Sequence, residues 1–136
     1  MDTVYADLTL KNSGDLAKAR EGSLSEKDVR TVTLTAIVDT GTTTLVIDEE
    51  ICRKLGLSIV ETSTINVAGG SKVECKITEP VRIQWKERQV ETNAVVLPEG
   101  KIILGNIPLE FMDLIVDTVR RELVGAHGDH VVLTAM

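Results

Sequence analysis

Aromatic side chains are nearly missing: Tyr5, Trp85 and Phe111 are the only ones among 136 residues. A core built from this chain is therefore aliphatic, and no platform for stacking bases is available. A basic excess is missing too. The formal net charge is −6, which opposes binding to nucleic acid or to an anionic membrane surface. Cys52 and Cys75 are too few for a disulfide framework and read as reduced thiols. No apolar run reaches membrane-spanning length, and Met1-Asp2-Thr3-Val4 has neither the basic nor the apolar region of a secretion signal. These absences lead to the expectation of a cytoplasmic protein with no nucleic-acid and no membrane partner.

What is present suits an ordinary globular domain: 43% hydrophobic and 26% charged residues, long enough to bury a core as one unit over 1–136. Val4, Ala6, Leu8 and Leu10 alternate with polar neighbours, the period of a half-buried strand. Residues 11–27 are polar and read as a surface loop, with at most a helical turn at 15–20. Alternation resumes through Val32, Leu34, Ala36 and Val38, so residues 28–38 form a strand. Leu45-Val46-Ile47 is a short buried strand. Asp48 caps a two-turn helix from Glu49 to Leu55, stopped by Gly56.

Residues 62–67 and 72–77 form a hairpin around Ala68-Gly69-Gly70-Ser71. A second hairpin turns at Lys86-Glu87-Arg88, and Trp85 reads as core. Ile102 to Asn106 is a buried strand broken by Gly105, and Pro108 suits the first turn of a helix over 107–112. Residues 109–124 fit either a helical face or a hairpin, and the hairpin is favoured because strands dominate elsewhere. Asp113 and Asp117 read as turn or capping residues, and 125–136 as a polar C-terminal tail. Many short strands with one or two short helices predict an all-β barrel.

One stretch stands apart. Ala36-Ile37-Val38-Asp39-Thr40-Gly41 puts a carboxylate directly after a hydrophobic strand, where charge is costly unless it is hydrogen-bonded. The Thr-Gly that follows supplies a turn, a hydroxyl and exposed backbone N–H groups that can bond it. Alone, such a triplet reads as a strand ending in a turn. Two further signals follow it: the Gly-Gly hairpin, and Ile103-Leu104-Gly105-Asn106 before a helix. In that order the three resemble the retroviral-type (retropepsin-like) aspartic proteases, including their bacterial single-lobe relatives, over roughly residues 29–124.

The resemblance implies a closed β-barrel of the acid-protease fold and an aspartic endopeptidase that works as a homodimer on a peptide or protein, without cofactor or metal. It implies Asp39 as the catalytic carboxylate in an active-site turn with Thr40, Gly41 and Thr42. Thr40 matches the threonine that locks two such turns together, and Gly41 the residue that lets substrate backbone pass close. Ala68, Gly69 and Gly70 match the tip of a flap. Thr43, Val46, Pro98, Ile102 and Ile103 match a substrate lining, and Leu104 with Gly105 a brace for the turn. Thr43 and Thr44 stand where retroviral members commonly carry acids, which alters the contacts to substrate ends. The longer segments before the active-site strand and at the C-terminus leave the pairing surface open.

Other patterns carry less. His127-Gly128-Asp129-His130 reads as a solvated tail rather than a metal site. Ser13, Ser23 and Ser25 form no nucleophile–base arrangement. A dimeric barrel that binds without turnover, or a processing enzyme for one partner, are the alternatives to a general peptidase.

Overall fold

The computed structural model describes residues 3–66, 69–98 and 100–128. The N-terminal alternation becomes β1 (Val4–Asn12), which buries its even-numbered side chains. It pairs antiparallel along its length with β2 (Thr31–Val38), Val4 opposite Val38. Its second half also pairs with β6 (Val81–Trp85), which turns back into β7 (Arg88–Thr92). On the other side lie β3 (Leu45–Asp48), β4 (Ile59–Asn66), β5 (Lys72–Thr78), β8 (Ala94–Leu97) and β9 (Ile103–Leu104). The nine strands hydrogen-bond in the order β4-β5-β8-β3-β9-β2-β1-β6-β7. Among the described residues no pairing joins β4 to β7, so the ladder does not close into the expected barrel.

The central feature is β9. It runs parallel to β2, with Ile37 opposite Ile103, and antiparallel to β3, with Val46 opposite Ile103. A segment late in the chain is thereby inserted between two early ones. The core lies on one face of this sheet and is aliphatic: Leu8, Leu10, Leu45, Ile47, Leu55, Ile83 and Leu104 are fully buried. Trp85 packs against that core partly buried, with the Lys86 ammonium 4.6 Å above its ring.

The helices follow their caps. In α2 (Glu49–Leu55) the Ile51 N–H donates to Asp48 Oδ1 at 2.9 Å, and Gly56 closes the helix in the left-handed conformation. After β9, α3 (Asn106–Phe111) leads into the hairpin of β10 (Leu114–Asp117) and β11 (Glu122–Gly125), as favoured from the sequence. Asp117 accepts from the N–H groups of Val119 and Arg120, both at 3.0 Å, which is the turn role expected of it.

The segment expected to be a loop over 11–27 is not one. β1 continues to Asn12, and α1 spans Ser13–Glu21, so the described residues hold three α-helices rather than one or two. A 3-10 turn follows at Glu26–Asp28. No apolar stripe announced α1, because polar anchors hold it at its start. The Asn12 side chain accepts from the Asp15 N–H at 3.0 Å and donates to the Leu55 carbonyl at 2.8 Å, tying α1 to the end of α2. The buried Asp15 receives Arg30 Nε at 2.8 Å, Arg30 Nη2 at 2.9 Å and the Arg30 N–H at 3.0 Å.

The tail is also better anchored than expected. Arg88 Nη1 donates to the carbonyls of Met112 (2.9 Å) and Asp113 (2.7 Å), and its Nη2 reaches the Gly128 carbonyl. His127 Nδ1 lies 2.8 Å from Asp113 Oδ2, so His127 is paired to a buried acid rather than simply solvated. Residues 129–136, with Asp129 and His130, lie outside the described residues.

The Arg30 hydrogen bonds hold the Asp15 carboxyl down at about 2, against a usual value of 3.8, despite its burial. A lowered acid stabilises the fold above its unfolded pKa and loses that contribution as pH falls through its folded value. Asp15→Asn should therefore cost about 2 kcal/mol of unfolding free energy at pH 7, on the scale of charged hydrogen bonds. In urea titrations the gap to the wild type should close between pH 4 and pH 2 (about those values, from the shift just given). A gap independent of pH would contradict the ion pair.

Candidate active site

The turn after β2 is built by β9 and the start of α3. The Ile37 N–H donates to the Ile102 carbonyl at 2.8 Å and the Asp39 N–H to the Leu104 carbonyl at 3.1 Å, so β9 carries the backbone up to Asp39. The chain then turns tightly, with the Thr42 N–H on the Asp39 carbonyl at 3.1 Å. From the far side the first N–H groups of α3 close the turn: Asn106 donates to Thr42 O at 2.7 Å and Ile107 to Thr43 O at 2.9 Å. Helix N-termini carry such unpaired donors, and here two of them are spent on the loop.

Gly105 makes this approach possible. A Cβ at Gly105 would stand 2.6 Å from the Thr42 carbonyl oxygen and 2.7 Å from the Thr44 nitrogen, and closer still to the Thr44 carbonyl oxygen. These neighbours are backbone atoms within a hydrogen-bonded turn, so they cannot simply swing aside. Its φ of −92° is open to any residue; space alone demands glycine.

Within the turn the Asp39 carboxylate is exposed and held by two donors. The Gly41 N–H reaches Oδ1 at 2.8 Å, and the Thr42 hydroxyl reaches Oδ2 at 3.1 Å. The hydroxyl expected from Thr40 is supplied by Thr42 instead, while Thr40 itself is exposed. The alternation that defines the strand stops at Asp39, so pattern alone could not say which threonine turns inward. One oxygen is fixed by backbone and the other by a side chain, which sets the plane of the carboxylate without burying it.

Beneath the turn the cross-strand registers line up an apolar row on the face of the sheet away from the core. Tyr5 opposes Ile37, Ile37 opposes Ile103, Ile103 opposes Val46, Val46 opposes Val95 and Val95 opposes Ile77. Directly opposed residues share a face of a sheet. The next row, Val38, Leu104, Leu45 and Ala94, faces the core. Of the expected lining residues, Val46 and Ile103 thus share the outer row, whereas Ile102 packs against the core. Pro98 is exposed at the end of β8, and Thr43 is exposed beside the turn. Gly69 and Gly70 occupy the β4–β5 hairpin tip with φ of 93° and 82°, where side chains other than glycine are strained. Ala68 lies outside the described residues.

Sequence reasoning missed Thr42's contact and the outer row beyond Val46 and Ile103. The row was legible only once pairing partners were known. A cleft of about 630 Å³ lined by Trp85, Lys86, Arg88, Glu122 and Leu123, among others, contains none of these groups. Burial pushes the Cys52 thiol up, so it stays protonated at neutral pH.

The family model described as "gag-polyprotein putative aspartyl protease" matches residues 26–110, more than half of the chain. The chain belongs to that retroviral-type aspartic protease family. A similar solved structure is EIAV protease complexed with the inhibitor HBY-793, at 30% identity, covering 57% of this chain and 75% of that one with a TM-score of 0.47. No curated protein matches the chain.

Gly105→Ala should destabilise the protein by about 3 kcal/mol, the upper range for overpacking a rigid site. Urea unfolding checks this, and a change within about 0.5 kcal/mol, as at ordinary surface positions, would mean the turn is not braced at Gly105.

Proposed function

We propose that the protein is an aspartic endopeptidase assembled from two copies, each supplying one Asp39. The observation that carries this reading is the exposed Asp39 carboxylate, oriented by Gly41 and Thr42 above an apolar row. A single exposed carboxylate cannot both take a proton from water and give one to a carbonyl. Two of them about 3 Å apart cannot both ionise, so they share one proton.

The ionised member removes a proton from a water held between the two, and the resulting hydroxide adds to the scissile carbonyl carbon. The protonated member gives its proton to the carbonyl oxygen. A tetrahedral diol results; as its C–N bond breaks, one of its hydroxyls returns a proton to the second carboxylate, and the departing nitrogen takes the proton that the first carboxylate had received. This is general acid–base catalysis without a covalent intermediate. Thr40, exposed at the turn, is the residue that would meet its counterpart across the axis. Gly41 lets a substrate backbone approach.

The substrate reading is a peptide with hydrophobic side chains at the cleavage site. Ile37, Ile103, Val46 and Val95 offer apolar contact, and Thr43, in place of an acid, offers only a neutral hydroxyl to the flanking residues. The β4–β5 hairpin, with Gly69 and Gly70 at its tip, would serve as the flap whose closure excludes water.

Asp39→Asn should lower kcat/KM on an unstructured protein by roughly a thousandfold, within the range of general acid–base effects, while the fold persists. Cleavage by the wild type should also cease with an aspartic-protease inhibitor. Equal cleavage by variant and wild type would leave a binding module without turnover.

A further inference from the structure

The cleft of about 630 Å³ contains no residue of the Asp39 turn. Trp85 of β6, with Leu123 and Val124 of β11, supplies apolar lining to it. Its volume falls among the roughly 300–1,000 Å³ of ligand-sized clefts, enough for several aliphatic side chains. Gly128 lines it as well, and residues 129–136 leave the fold from there.

That exit is a fixed point. Arg88 Nη2 donates to the Gly128 carbonyl, and the Gly128 N–H closes on the Gly125 carbonyl at 3.4 Å. The Ala126 N–H donates to the Asp113 carbonyl at 2.8 Å, and His127 Nδ1 lies 2.8 Å from Asp113 Oδ2. A Cβ at Gly125 would run into the Gly128 carbonyl and the Arg88 guanidinium, so the chain reverses this tightly only at a glycine. Gly128 then adopts a left-handed φ of 66°. After two more polar residues, Asp129 and His130, come three consecutive aliphatic ones, Val131, Val132 and Leu133.

We propose that Val131, Val132 and Leu133 fold back into this cleft and cover Trp85 and Leu123 of the same copy of the chain. The reach is sufficient: an extended chain spans at most about 3.6 Å per residue, which carries Val131 about 10 Å and Leu133 about 17 Å from Gly128. Charge does not decide the contact, since Lys86 and Arg88 stand beside Glu87 and Glu122 at the cleft, and Asp129 beside His130 in the segment. Apolar burial does. Arg88 also holds the Met112 and Asp113 carbonyls at the end of α3, whose first N–H groups close the Asp39 turn. The docked segment is thus a strap over the scaffold of the site and takes no part in its chemistry. Nothing in this contact depends on the peptidase reading.

Trp85 is the only tryptophan, so indole emission reports on this cleft alone. Acrylamide quenching is compared in the full-length wild type, Leu133→Asp and, as a control, Val60→Asp, 62% exposed on β4 at the opposite edge of the sheet from β7. A ring covered on one face and then freed exposes about twice the surface, so Leu133→Asp should raise the quenching constant about twofold and shift emission to the red. The control should match the wild type. A contact within one chain is independent of concentration, so wild-type quenching should hold over a roughly hundredfold dilution. Circular dichroism checks folding; should Leu133→Asp unfold, nuclear Overhauser contacts between the Trp85 ring and the methyl groups of Val131, Val132 or Leu133 are sought in the wild type, and their absence would overturn the docking. Equal quenching in Leu133→Asp and the wild type would overturn it too. Wild-type quenching that rises on dilution would show that the segment comes from another copy, and would overturn docking within the chain.

Discussion

The structure depends on one close backbone approach, the contact of Gly105 with Thr42 and Thr44. Strand β9 can sit between β2 and β3 only if the chain leaving it passes against the Asp39 turn without a side chain in the way. Once it does, the first donors of α3 satisfy the carbonyls of Thr42 and Thr43, two groups the turn would otherwise leave unpaired within itself. The same insertion lines up Ile37, Ile103 and Val46 on the outer face and Val38, Leu104 and Leu45 on the core face. Site and core are thus two sides of one register. A slip by a single residue would exchange them.

This explains why a carboxylate can stand at the end of a buried strand. Asp39 itself is exposed; the strand that carries it is held by hydrogen bonds to β9. Its hydrogen bonds come from the turn's own Gly41 and Thr42, so its orientation is set before any partner arrives. Preorganisation of this kind matters because a catalytic group aligned in advance needs no reordering during reaction. In the proposed enzyme the second carboxylate arrives already aligned by the same turn on the other copy.

The fold was legible where local chemistry decides it. Asp48 and Gly56 marked the two ends of α2, and the alternations of β1, β2 and β6 gave their buried faces directly. The hairpin of β10 and β11 was read against a competing helical pattern, on the weight of the surrounding strands. Helix α1 was not legible. Its stability comes from Asn12, Asp15 and Arg30, whose meeting depends on where β2 begins rather than on any helical periodicity. The pairing of His127 with Asp113 was hidden for the same reason. In the site, Asp39 and Gly105 stood out from the sequence by motif. Thr42's role and the placement of Ile102 toward the core needed the register, and Tyr5 was invisible until β1 was seen beside β2.

The central claim is that catalysis needs one Asp39 from each of two copies. It is tested most directly by mixing the wild type with increasing amounts of Asp39→Asn at constant total protein and following peptide cleavage after re-equilibration. The account predicts that activity falls with the square of the wild-type fraction, because a mixed pair has only one working carboxylate. Activity falling in simple proportion to the wild-type fraction would show that each copy works alone and would contradict the account.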